Sequence, residues 1–420
     1  MTIIHIATNP LGGAGRSACR LHEGLLKLGV DSRMLTARPA NGIQGASELI
    51  VSKQLPLRAR RWFRRKIHAW RGRNITRAPQ PAFEQFSLDS SPVAHELARE
   101  IPQDAIIHLH WVAGFVDYRT FFQDVSGRAI VWTMHDMNPF TGGCHFDNGC
   151  GRFVNDCGRC PQLGSQQEID LSRKIWTRKK QALDRFGPHG LQIVSPSRWM
   201  AEEVSRSSLL DGRSCRIIPY GLDTDIFRPI DKVASRKQLG LPIDGRIILF
   251  GAASLENPRK GYDQFIQSLE HLTPDDSVFL LSMGTEPPQI SSRFPSRHMG
   301  QVQDDQMLAT IYNAADLFVI SSLADNLPNT VLESLSCGTP VVGYASGGTP
   351  DLVEPMETGL LVETGDTVGL ARSMQQMLLN DALREHCSHV GRTRILANHT
   401  LEIQARQYLE VYAEKHAHRS

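Results

Sequence analysis

Two segments of the same pattern constrain the fold of this chain more than any other feature. Each begins with a short apolar run, passes through a glycine-containing loop and continues with a helical pattern. The first occupies residues 3–7, 9–15 and 16–28, and the second occupies residues 247–250, 251–261 and 262–272. A buried strand followed by a loop and an amphipathic helix is typical of the start of a doubly wound domain. The chain has 420 residues, which is enough for two such domains.

Further apolar runs alternate with helical patterns along both halves of the chain. We expect strands at residues 106–109, 130–133, 191–194, 277–281, 317–320 and 341–344. Runs that are apolar throughout indicate parallel sheets covered on both faces. The sequence therefore predicts an α/β protein with two doubly wound, Rossmann-like domains, at residues 1–205 and 206–398, and a hinge near 218–221. A C-terminal helix within residues 399–420 is expected to return to the first domain.

A dinucleotide-binding enzyme is the simplest alternative for such an opening, and two observations disfavour it. The glycines at Gly12, Gly13 and Gly15 do not have the G-x-G-x-x-G spacing. The predicted second strand, residues 32–36, ends without the acidic residue that would hold a ribose. A glycine loop at a helix N-terminus still favours anions, because its backbone N–H groups and the helix dipole point outward.

The most informative stretch runs from Ser321 to Val342. A polar loop leads to Asn329, the expected N-cap of a short helix, and Gly338 is expected to end that helix in the left-handed conformation. Asp325 lies in the loop, and Glu333 lies on the second helical turn. Such an arrangement can hold a phosphate at the helix N-terminus while the two carboxylates accept hydrogen bonds from sugar hydroxyls.

This stretch resembles the E-x7-E motif, followed by A-C-G-x-P-V-V, of retaining glycosyltransferases of the GT-B fold in glycosyltransferase family 4. Other matching segments lie at residues 12–16, 194–199, 217–223, 259–261, 312–317 and 347–351. Residues 132–136 and 141–144 resemble a subgroup that acts in bacterial exopolysaccharide and capsule assembly. The resemblance implies two Rossmann-like domains that face a central cleft, with the acceptor side in the first domain and the donor side in the second.

The resemblance also implies an activity: a sugar passes, with retention, from a nucleoside-diphosphate sugar to a glycan or lipid-linked glycan acceptor. No metal or other cofactor is expected to take part in catalysis. Two other functions remain open: a nucleotide-sugar epimerase of the same fold, and a catalytically impaired protein that binds nucleotide sugar or glycan. Turnover and an acceptor requirement would separate the three.

The resemblance assigns roles to individual residues. Glu333 would hold the ribose hydroxyls, and Asp325 would hold a hydroxyl of the transferred sugar. Lys260, with Arg259, would neutralise the departing diphosphate, and His135 would face the sugar from the first domain. The donor would also contact the backbone at Gly12, Gly13, Asn329, Thr330, Val331 and Leu332.

Two positions depart from the family pattern. Asp325 stands where the family has a glutamate, so this side chain is one methylene shorter. The family's Gly-Arg pair after the first strand of the second domain is Gly251-Ala252 here, and one phosphate-binding cation is therefore absent. Arg259 is a candidate for its replacement.

Four of the eight cysteines lie within seventeen residues, at Cys144, Cys150, Cys157 and Cys160. Four thiols that close with a C-x-x-C spacing suit a tetrahedral Zn²⁺ that would fold a loop lacking a core of its own. Free thiols and disulfides are the alternatives, and a reducing cytoplasm disfavours disulfides. His145 could replace one of the four ligands. Such a zinc would be structural.

A basic segment at residues 53–77 carries ten basic residues and no acidic one, although the whole chain has a net charge of only +2. On a helix, Trp62, Phe63, Ile67 and Trp70 would share one face and most of the arginines the other. This pattern is typical of a peripheral contact with an anionic membrane, here the inner face of the inner membrane, or of a helix packed on its own domain. No nucleic-acid-binding motif accompanies it. Because the sequence shows neither a secretory signal nor an 18-residue apolar run, we expect a cytoplasmic location.

Overall fold

The computed structural model describes residues 1–49, 84–93, 95–187, 190–252, 254–273, 278–290 and 293–417. The basic segment at 53–77 lies outside the described residues. Among the helices described, none combines the length and the apolar composition needed to cross a bilayer. The chain divides into two compact units, Met1–Pro219 with Gln404–Ser420, and Tyr220–Ile403.

The first unit is built on a seven-stranded parallel sheet. Its strands are β1 (Thr2–Ala7), β2 (Asp31–Thr36), β3 (Ala46–Glu48), β4 (Ile106–Leu109), β5 (Ile130–Thr133), β6 (Leu191–Ser195) and β7 (Cys215–Ile217). Their order across the sheet is β3-β2-β1-β4-β5-β6-β7. The helices are α1 (Gly12–Lys27), α2 (Glu96–Arg99), α3 (Tyr118–Asp124), α4 (Leu171–Phe186) and α5 (Arg198–Arg206). Strands β1, β4, β5 and β6 are almost entirely buried, which explains their continuous apolar sequence.

The second unit has a six-stranded parallel sheet. Its strands are β8 (Arg246–Gly251), β9 (Val278–Met283), β10 (Ser296–His298), β11 (Leu317–Ile320), β12 (Val341–Tyr344) and β13 (Gly359–Val362), in the order β10-β9-β8-β11-β12-β13. Its helices are α6 (Lys232–Leu239), α7 (Tyr262–His271), α8 (Asp305–Ala314), α9 (Asn329–Ser336), α10 (Thr367–Leu379) and α11 (Asp381–Asn398). The last helix, α12 (Leu401–Ala417), begins in this unit and continues into the first.

The predicted boundaries between the domains need correction. Residues 206–219 belong to the first unit, because β7 pairs with β6 and extends the first sheet. The second unit extends past residue 398, because the backbone N–H of Leu222 donates to the carbonyl of His399 at 2.9 Å. From Gln404 onward, α12 belongs to the first unit, where Tyr408 and Tyr412 are buried in its core.

In each sheet the strand order reverses once, between β1 and β4 in the first unit and between β8 and β11 in the second. Doubly wound domains bind ligands beyond the carboxyl ends of the strands at such a reversal, because the loops there diverge and leave a crevice. The segments that follow these four strands contain most of the residues assigned a role from the sequence.

Candidate active site

In the second unit, the loops that follow β8 and β11 are joined by hydrogen bonds. A 3₁₀-helix, Pro258–Lys260, begins at Asn257, whose side chain accepts from the backbone N–H of Arg259. The N–H of Leu323 donates to the carbonyl of Arg259 at 2.7 Å, and the hydroxyl of Ser321 donates to the carbonyl of Lys260 at 3.0 Å. The backbone of both cations is therefore fixed to the loop that carries Asp325.

Two glycines allow this close approach. Gly261 has φ +66°, and a Cβ at this position would lie 1.8 Å from the carbonyl oxygen of Ser321. Gly347 has φ +54°, and its Cβ would lie 1.9 Å from the carbonyl oxygen of Asp325. Both positions require glycine for conformation and for space. Any side chain there would separate the loops that form the site.

Asp325 and Lys260 form an ion pair, with 2.6 Å between Oδ2 and Nζ. The guanidinium of Arg259 lies 3.7 Å from Oδ1 of Asp325 and donates to the carbonyl of Ala324. Burial alone would raise the pKa of Asp325, but the two neighbouring cations outweigh burial and hold this pKa below its ordinary value. The carboxylate is therefore charged at neutral pH, and the cations are partly neutralised by it.

Helix α9 carries the second carboxylate. Glu333 is buried, and its Oε2 accepts a hydrogen bond from the hydroxyl of Tyr312 at 3.0 Å. As predicted, the helix ends at a left-handed glycine, Gly338, with φ +76°. The pair Asp325 and Glu333 therefore occupies the loop and the second helical turn that the sequence indicated.

Two expectations at the start of α9 need correction. The N-cap position is occupied by Pro328, and Asn329 is already the first helical residue. The backbone N–H groups of Val331 and Leu332 donate to the carbonyl of Pro328, at 3.1 and 3.3 Å. These two amides are engaged as ordinary helical donors, so a phosphate could be bound only by amides nearer the helix start.

In the first unit, the glycine loop is part of the helix that follows it. Helix α1 begins at Gly12 rather than at Arg16, so Gly12 and Gly13 form its first turn. The N–H of Leu11 donates to the side chain of Asn9 at 3.0 Å. The loop thus places a helix N-terminus beyond the carboxyl end of β1, the position at which such domains bind anions.

His135, just after β5, is one end of a buried hydrogen-bonded chain that crosses the first sheet. Its members come from α1 and from the strands or strand ends of β2, β1, β4 and β5. The successive contacts are Gln44 O to His22 Nε2 (2.7 Å), His22 Nδ1 to Ser32 Oγ (2.7 Å), Ser32 Oγ to His5 Nε2 (3.1 Å), His5 Nδ1 to His110 Nε2 (2.8 Å) and His110 Nδ1 to His135 Nε2 (3.0 Å). All four imidazoles have relative exposures of 9% or less.

The pKa values of these imidazoles are lowered by burial. The pKa of His5 and that of His110 lie well below 6.5, and the pKa of His135 falls to about 4. Burial also lowers the pKa of His22. The chain is therefore neutral at neutral pH, because none of these rings is protonated there.

Neutrality fixes the tautomer of every ring in the chain. The carbonyl of Gln44 can only accept, so His22 carries its proton on Nε2 and accepts from Ser32 at Nδ1. Ser32 then accepts from His5 Nε2, and His5 accepts at Nδ1 from His110 Nε2. His110 in turn accepts from His135 Nε2, which leaves the lone pair of His135 on Nδ1. One backbone carbonyl thus determines which nitrogen of His135 is an acceptor.

His5, His108 and His110 form the one group of three metal-capable ligands among the described residues whose ligand atoms all lie within 4.8 Å of one another. Hydrogen bonds account for all six of their ring nitrogens. His108 contacts the hydroxyls of Tyr412 at 2.6 Å and Thr133 at 2.8 Å, and the other two rings belong to the chain described above. This geometry is that of a hydrogen-bonded network, since a nitrogen that shares a proton cannot also bind a cation.

A second polar cluster lies next to His135. The Oδ2 of Asp136 is 2.5 Å from Nδ1 of His145 and accepts from the indole N–H of Trp111 at 2.7 Å. The other ring nitrogen of His145 contacts the hydroxyl of Ser87 at 2.9 Å. Both nitrogens of His145 are therefore engaged, and the suggestion that His145 replaces a cysteine ligand is wrong for this arrangement.

The four clustered cysteines line one cavity in the loop that follows this cluster. All four are free thiols. Burial, together with the neighbouring thiols, raises the pKa of Cys157 to about 12 and also raises those of Cys144 and Cys160. Disulfides are thus absent from this arrangement of the loop, and free thiols and thiolates bound to a metal remain to be distinguished.

Comparisons with known proteins decide the family. Residues 11–226 match the family model described as Glycosyltransferase Family 4, and residues 245–380 match the model described as Glycosyl transferases group 1. The chain belongs to glycosyltransferase family 4. The resemblance predicted from the motifs is thereby confirmed, and with it the assignment as a glycosyltransferase.

Two relatives illustrate the range of this family. The Escherichia coli (strain K12) protein named as colanic acid biosynthesis glycosyl transferase WcaC is 25% identical over 358 residues, 82% of each chain. A Mycobacterium leprae (strain Br4923) protein named D-inositol 3-phosphate glycosyltransferase is 32% identical over 334 residues, 73% of this chain and 69% of that protein.

Solved structures support the fold. A sucrose-phosphate synthase from Thermosynechococcus elongatus aligns with a TM-score of 0.65 at 20% identity, over 99% of both chains. Alr3699/HepE of Anabaena, crystallised with UDP, aligns with a TM-score of 0.66 at 14% identity, over 99% of this chain and 100% of that one. The two parallel-sheet units are those of the GT-B fold, as predicted.

Several residues of these sites were not identified from the sequence. His5, His22 and Ser32 are distant from the motifs, and Tyr312 belongs to a motif in which no role was assigned to its hydroxyl. The available signal was a histidine inside the otherwise apolar strand β1, since a polar side chain in a fully buried strand must find a hydrogen-bond partner.

Proposed function

We propose that this family 4 glycosyltransferase transfers a sugar, with retention and without a catalytic metal, from a nucleoside-diphosphate sugar to a glycan acceptor. The observation that carries this proposal is the arrangement around α9. A cation pair with a charged aspartate lies in loops fixed to each other, and a second buried carboxylate lies on the adjoining helix. These groups match the parts of such a donor: a diphosphate, a sugar and a ribose.

In this proposal, Lys260 and Arg259 bind the diphosphate, and the first-turn amides of α9, at Asn329 and Thr330, bind its distal phosphate. The amides of Val331 and Leu332 are left out because they donate to Pro328. Glu333, oriented by Tyr312, accepts hydrogen bonds from the ribose hydroxyls, and Asp325 accepts one from the transferred sugar. A donor must therefore draw Lys260 partly away from Asp325.

The chemical step breaks the bond between the anomeric carbon and the diphosphate oxygen, through a transition state with oxocarbenium character. Negative charge develops on the departing diphosphate, so cations fixed beside it stabilise the transition state more than the ground state. Retention follows if the acceptor hydroxyl attacks from the face that the diphosphate leaves. The leaving phosphate oxygen then takes the acceptor proton, and no carboxylate nucleophile is required.

We assign His135 a neutral hydrogen-bonding role toward the transferred sugar. A pKa of about 4 makes it a poor proton donor at neutral pH, and the hydrogen-bonded chain leaves its lone pair on Nδ1. It would hydrogen-bond to a hydroxyl of the transferred sugar as a neutral ring. Gly12 and Gly13, at the N-terminus of α1, are proposed to contribute backbone N–H groups to the bound donor.

The acceptor is proposed to be a lipid-linked oligosaccharide of bacterial surface polysaccharide synthesis. The E. coli relative is named for colanic acid biosynthesis and covers most of both chains. The basic segment at 53–77, which pairs tryptophans with arginines, would provide peripheral contact with an anionic membrane at the cytoplasmic face. Binding to vesicles with and without anionic lipid tests this contact, and equal binding to both would exclude it.

The function is tested by assaying donor hydrolysis over a panel of UDP-, GDP- and TDP-sugars, beginning with UDP-glucose. The wild-type protein is expected to release one nucleoside diphosphate slowly, and Glu333→Ala and Lys260→Ala to abolish the release. Lys237→Ala, an exposed substitution on α6, is the matched control and should behave as wild type.

The alternatives give different results. Conversion of the donor sugar to its epimer without an acceptor would identify an epimerase. Diphosphate binding without turnover, with or without glycan acceptors, would indicate a binding protein. If no nucleotide in the panel binds, the proposed donor site is wrong.

A further inference from the structure

The loop between β5 and α4 has little regular structure to hold it. Between Thr141 and Asp170, the described secondary structure consists of two single-turn 3₁₀-helices, Arg152–Val154 and Pro161–Leu163, and one isolated β-bridge between Cys144 and Phe86. Such a long irregular loop in a compact domain is uncommon unless something else orders it. The four cysteines of this loop are spread along it, so a single group bound by all of them would tie its parts together.

The four cysteines line one cavity of about 20 Å³, large enough for a single ion. Among these four described residues, no three sulfur atoms lie within 4.8 Å of one another, so binding one ion requires the side chains to turn further into this cavity. Phe86 and Phe153 form part of the same lining, so the thiols are the soft ligands of a largely apolar pocket. Sulfur ligands in such surroundings favour Zn²⁺ over hard cations such as Mg²⁺ or Ca²⁺.

Hydrogen bonds hold the backbone beside the cysteines. The backbone N–H of Leu163 donates to the carbonyl oxygen of Cys160 at 3.2 Å, and the backbone N–H of Cys160 donates to Oδ2 of Asp170 at 2.8 Å. The hydroxyl of Thr141 donates to the carbonyl oxygen of Cys144 at 2.6 Å. These contacts fix the backbone positions from which the thiols of Cys144 and Cys160 extend.

The backbone at the C-x-x-C end is held in an unusual conformation. Cys157, Gly158 and Arg159 have successive φ values of +58°, +96° and +43°. A Cβ at Gly158 would lie 2.2 Å from the carbonyl oxygen of Glu168. Left-handed conformations in consecutive residues, two of them not glycine, are costly and persist where the surroundings enforce them. A metal bound to Cys157 and Cys160 would enforce this turn.

Two cations lie close to the thiols. Lys179, only 1% exposed, donates to the carbonyl oxygens of Asn138 and Thr141 and interacts electrostatically with Cys144 and Cys157. Arg173 donates to the carbonyl oxygen of Cys157 at 3.0 Å. Four thiolates around Zn²⁺ carry a net charge of −2, which Lys179 would partly compensate, while the charge of Arg173 is shared with Asp156 and Glu168.

We propose that Cys144, Cys150, Cys157 and Cys160 bind one structural Zn²⁺ that orders the loop between β5 and α4. The sulfurs of the four residues would complete a tetrahedral site, so the ion would keep no open position for substrate. Zinc binding at this site is independent of the transfer reaction proposed above, and its test uses no activity assay.

The first experiment measures the metal content of the full-length protein, purified without a histidine tag and passed over a column in EDTA. Mass spectrometry of the metals is expected to find one zinc per chain. A mercurial reagent that caps thiols should release this zinc to a chromogenic chelator. Growth with Co²⁺ should give the intense visible bands of a tetrahedral cobalt thiolate site.

Single serine substitutions then locate the site. Cys150→Ser and Cys160→Ser should contain substoichiometric zinc, while Cys215→Ser, a half-buried cysteine of the same unit outside the loop, should retain one zinc per chain. If a loop variant does not fold, the cobalt spectrum of the wild-type chain still decides the ligand set.

Three results would overturn the proposal. One is zinc far below one per chain, with the loop thiols reacting readily with a thiol reagent in the native protein. A disulfide between loop cysteines, detected by peptide mapping of freshly prepared protein, is another. The third is iron with the visible absorbance of an iron–sulfur cluster.

Discussion

Both units carry polar side chains in or just after the central strands of a parallel sheet. These side chains are charged in the second unit and neutral in the first. In the second unit, Lys260 and Asp325 are ions whose charges are balanced by each other at 2.6 Å. In the first unit, the histidine chain from His22 to His135 is neutral, and its members are satisfied by hydrogen bonds alone.

This difference follows from exposure. The side chains of Lys260 and Asp325 are 22% and 17% exposed, so water and the opposite charge together keep both ionised. The imidazoles are buried in the first unit, where the desolvation cost of protonating a ring exceeds the stabilisation that neighbouring groups provide. The second unit is therefore suited to exchange one anion for another, and the first to hold a hydrogen-bond acceptor in a fixed orientation.

The largest expected effect comes from removing the positive charge of Lys260 in the second unit. Lys260→Ala should lower kcat by about 10²–10³-fold, because it removes a fixed charge from the position where the leaving group becomes negative. Steady-state kinetics with the preferred donor measures this effect. If Lys260→Ala retains activity within about threefold of the Lys237→Ala control, transition-state stabilisation by Lys260 is refuted.

Acid should lower the stability of the first unit, because its buried histidines are neutral in the folded state. His135 has a pKa of about 4 in the folded protein and an ordinary value of 6.5 when unfolded. The unfolded state therefore binds more protons below pH 6.5, and stability falls as the pH drops from 6.5 toward 4. From His135 alone we expect a loss on the order of 2 kcal/mol between pH 7 and pH 5.

Urea unfolding monitored by tryptophan fluorescence can measure this loss selectively. The second unit contains no tryptophan, and the four tryptophans among the described residues all lie in the first unit, so tryptophan fluorescence monitors the first unit rather than the second. His135→Asn, which keeps a hydrogen-bond donor for His110 but does not titrate, is the matched variant and should lose less stability on acidification. Equal losses in the two proteins would contradict a neutral, buried His135.

A smaller effect is expected at the second carboxylate. Glu333→Gln keeps an acceptor for Tyr312 but removes the charge, and hydrogen bonds to charged acceptors are stronger than those to neutral ones. We expect nucleoside diphosphate binding to weaken about tenfold, with little change in the folded state. Titration calorimetry checks this, and unchanged affinity would remove Glu333 from the donor site.

The smallest effect is expected from the hydroxyl that orients Glu333. Tyr312→Phe removes one buried hydrogen bond, and we expect about threefold weaker binding of the nucleoside diphosphate. Because Glu333 would lose its orienting partner, the double variant with Glu333→Gln should weaken binding by less than the product of the two single effects. Fully multiplicative effects would show that the two residues act independently.

The sequence predicted the elements that local chemistry determines. Nine of the thirteen described strands, the glycine end of α9 and the positions of Asp325 and Glu333 follow from apolar runs, turn residues and motif spacing. The strands β3, β7, β10 and β13 were not predicted. Three of them, β3, β7 and β10, have three residues each, are exposed or only partly buried and carry no apolar pattern.

The contacts that give the sites their electrostatic character depend on long-range packing. The chain from His22 to His135 joins residues on five separate elements, and no local pattern connects them. The ion pair between Lys260 and Asp325 spans two loops that meet only because the glycines at 261 and 347 allow close backbone contact. Spacing therefore indicated candidate residues, while tertiary structure determined their charge states and partners.

The most direct test of the account is calorimetric binding of UDP and GDP to the wild-type protein, Lys260→Ala and Asp325→Asn. If the diphosphate displaces Asp325 from Lys260, Lys260→Ala should bind its nucleotide much more weakly than wild type. Asp325→Asn, which removes the competing anion, should bind it at least as tightly. Loss of binding in Asp325→Asn together with unchanged binding in Lys260→Ala would contradict the account.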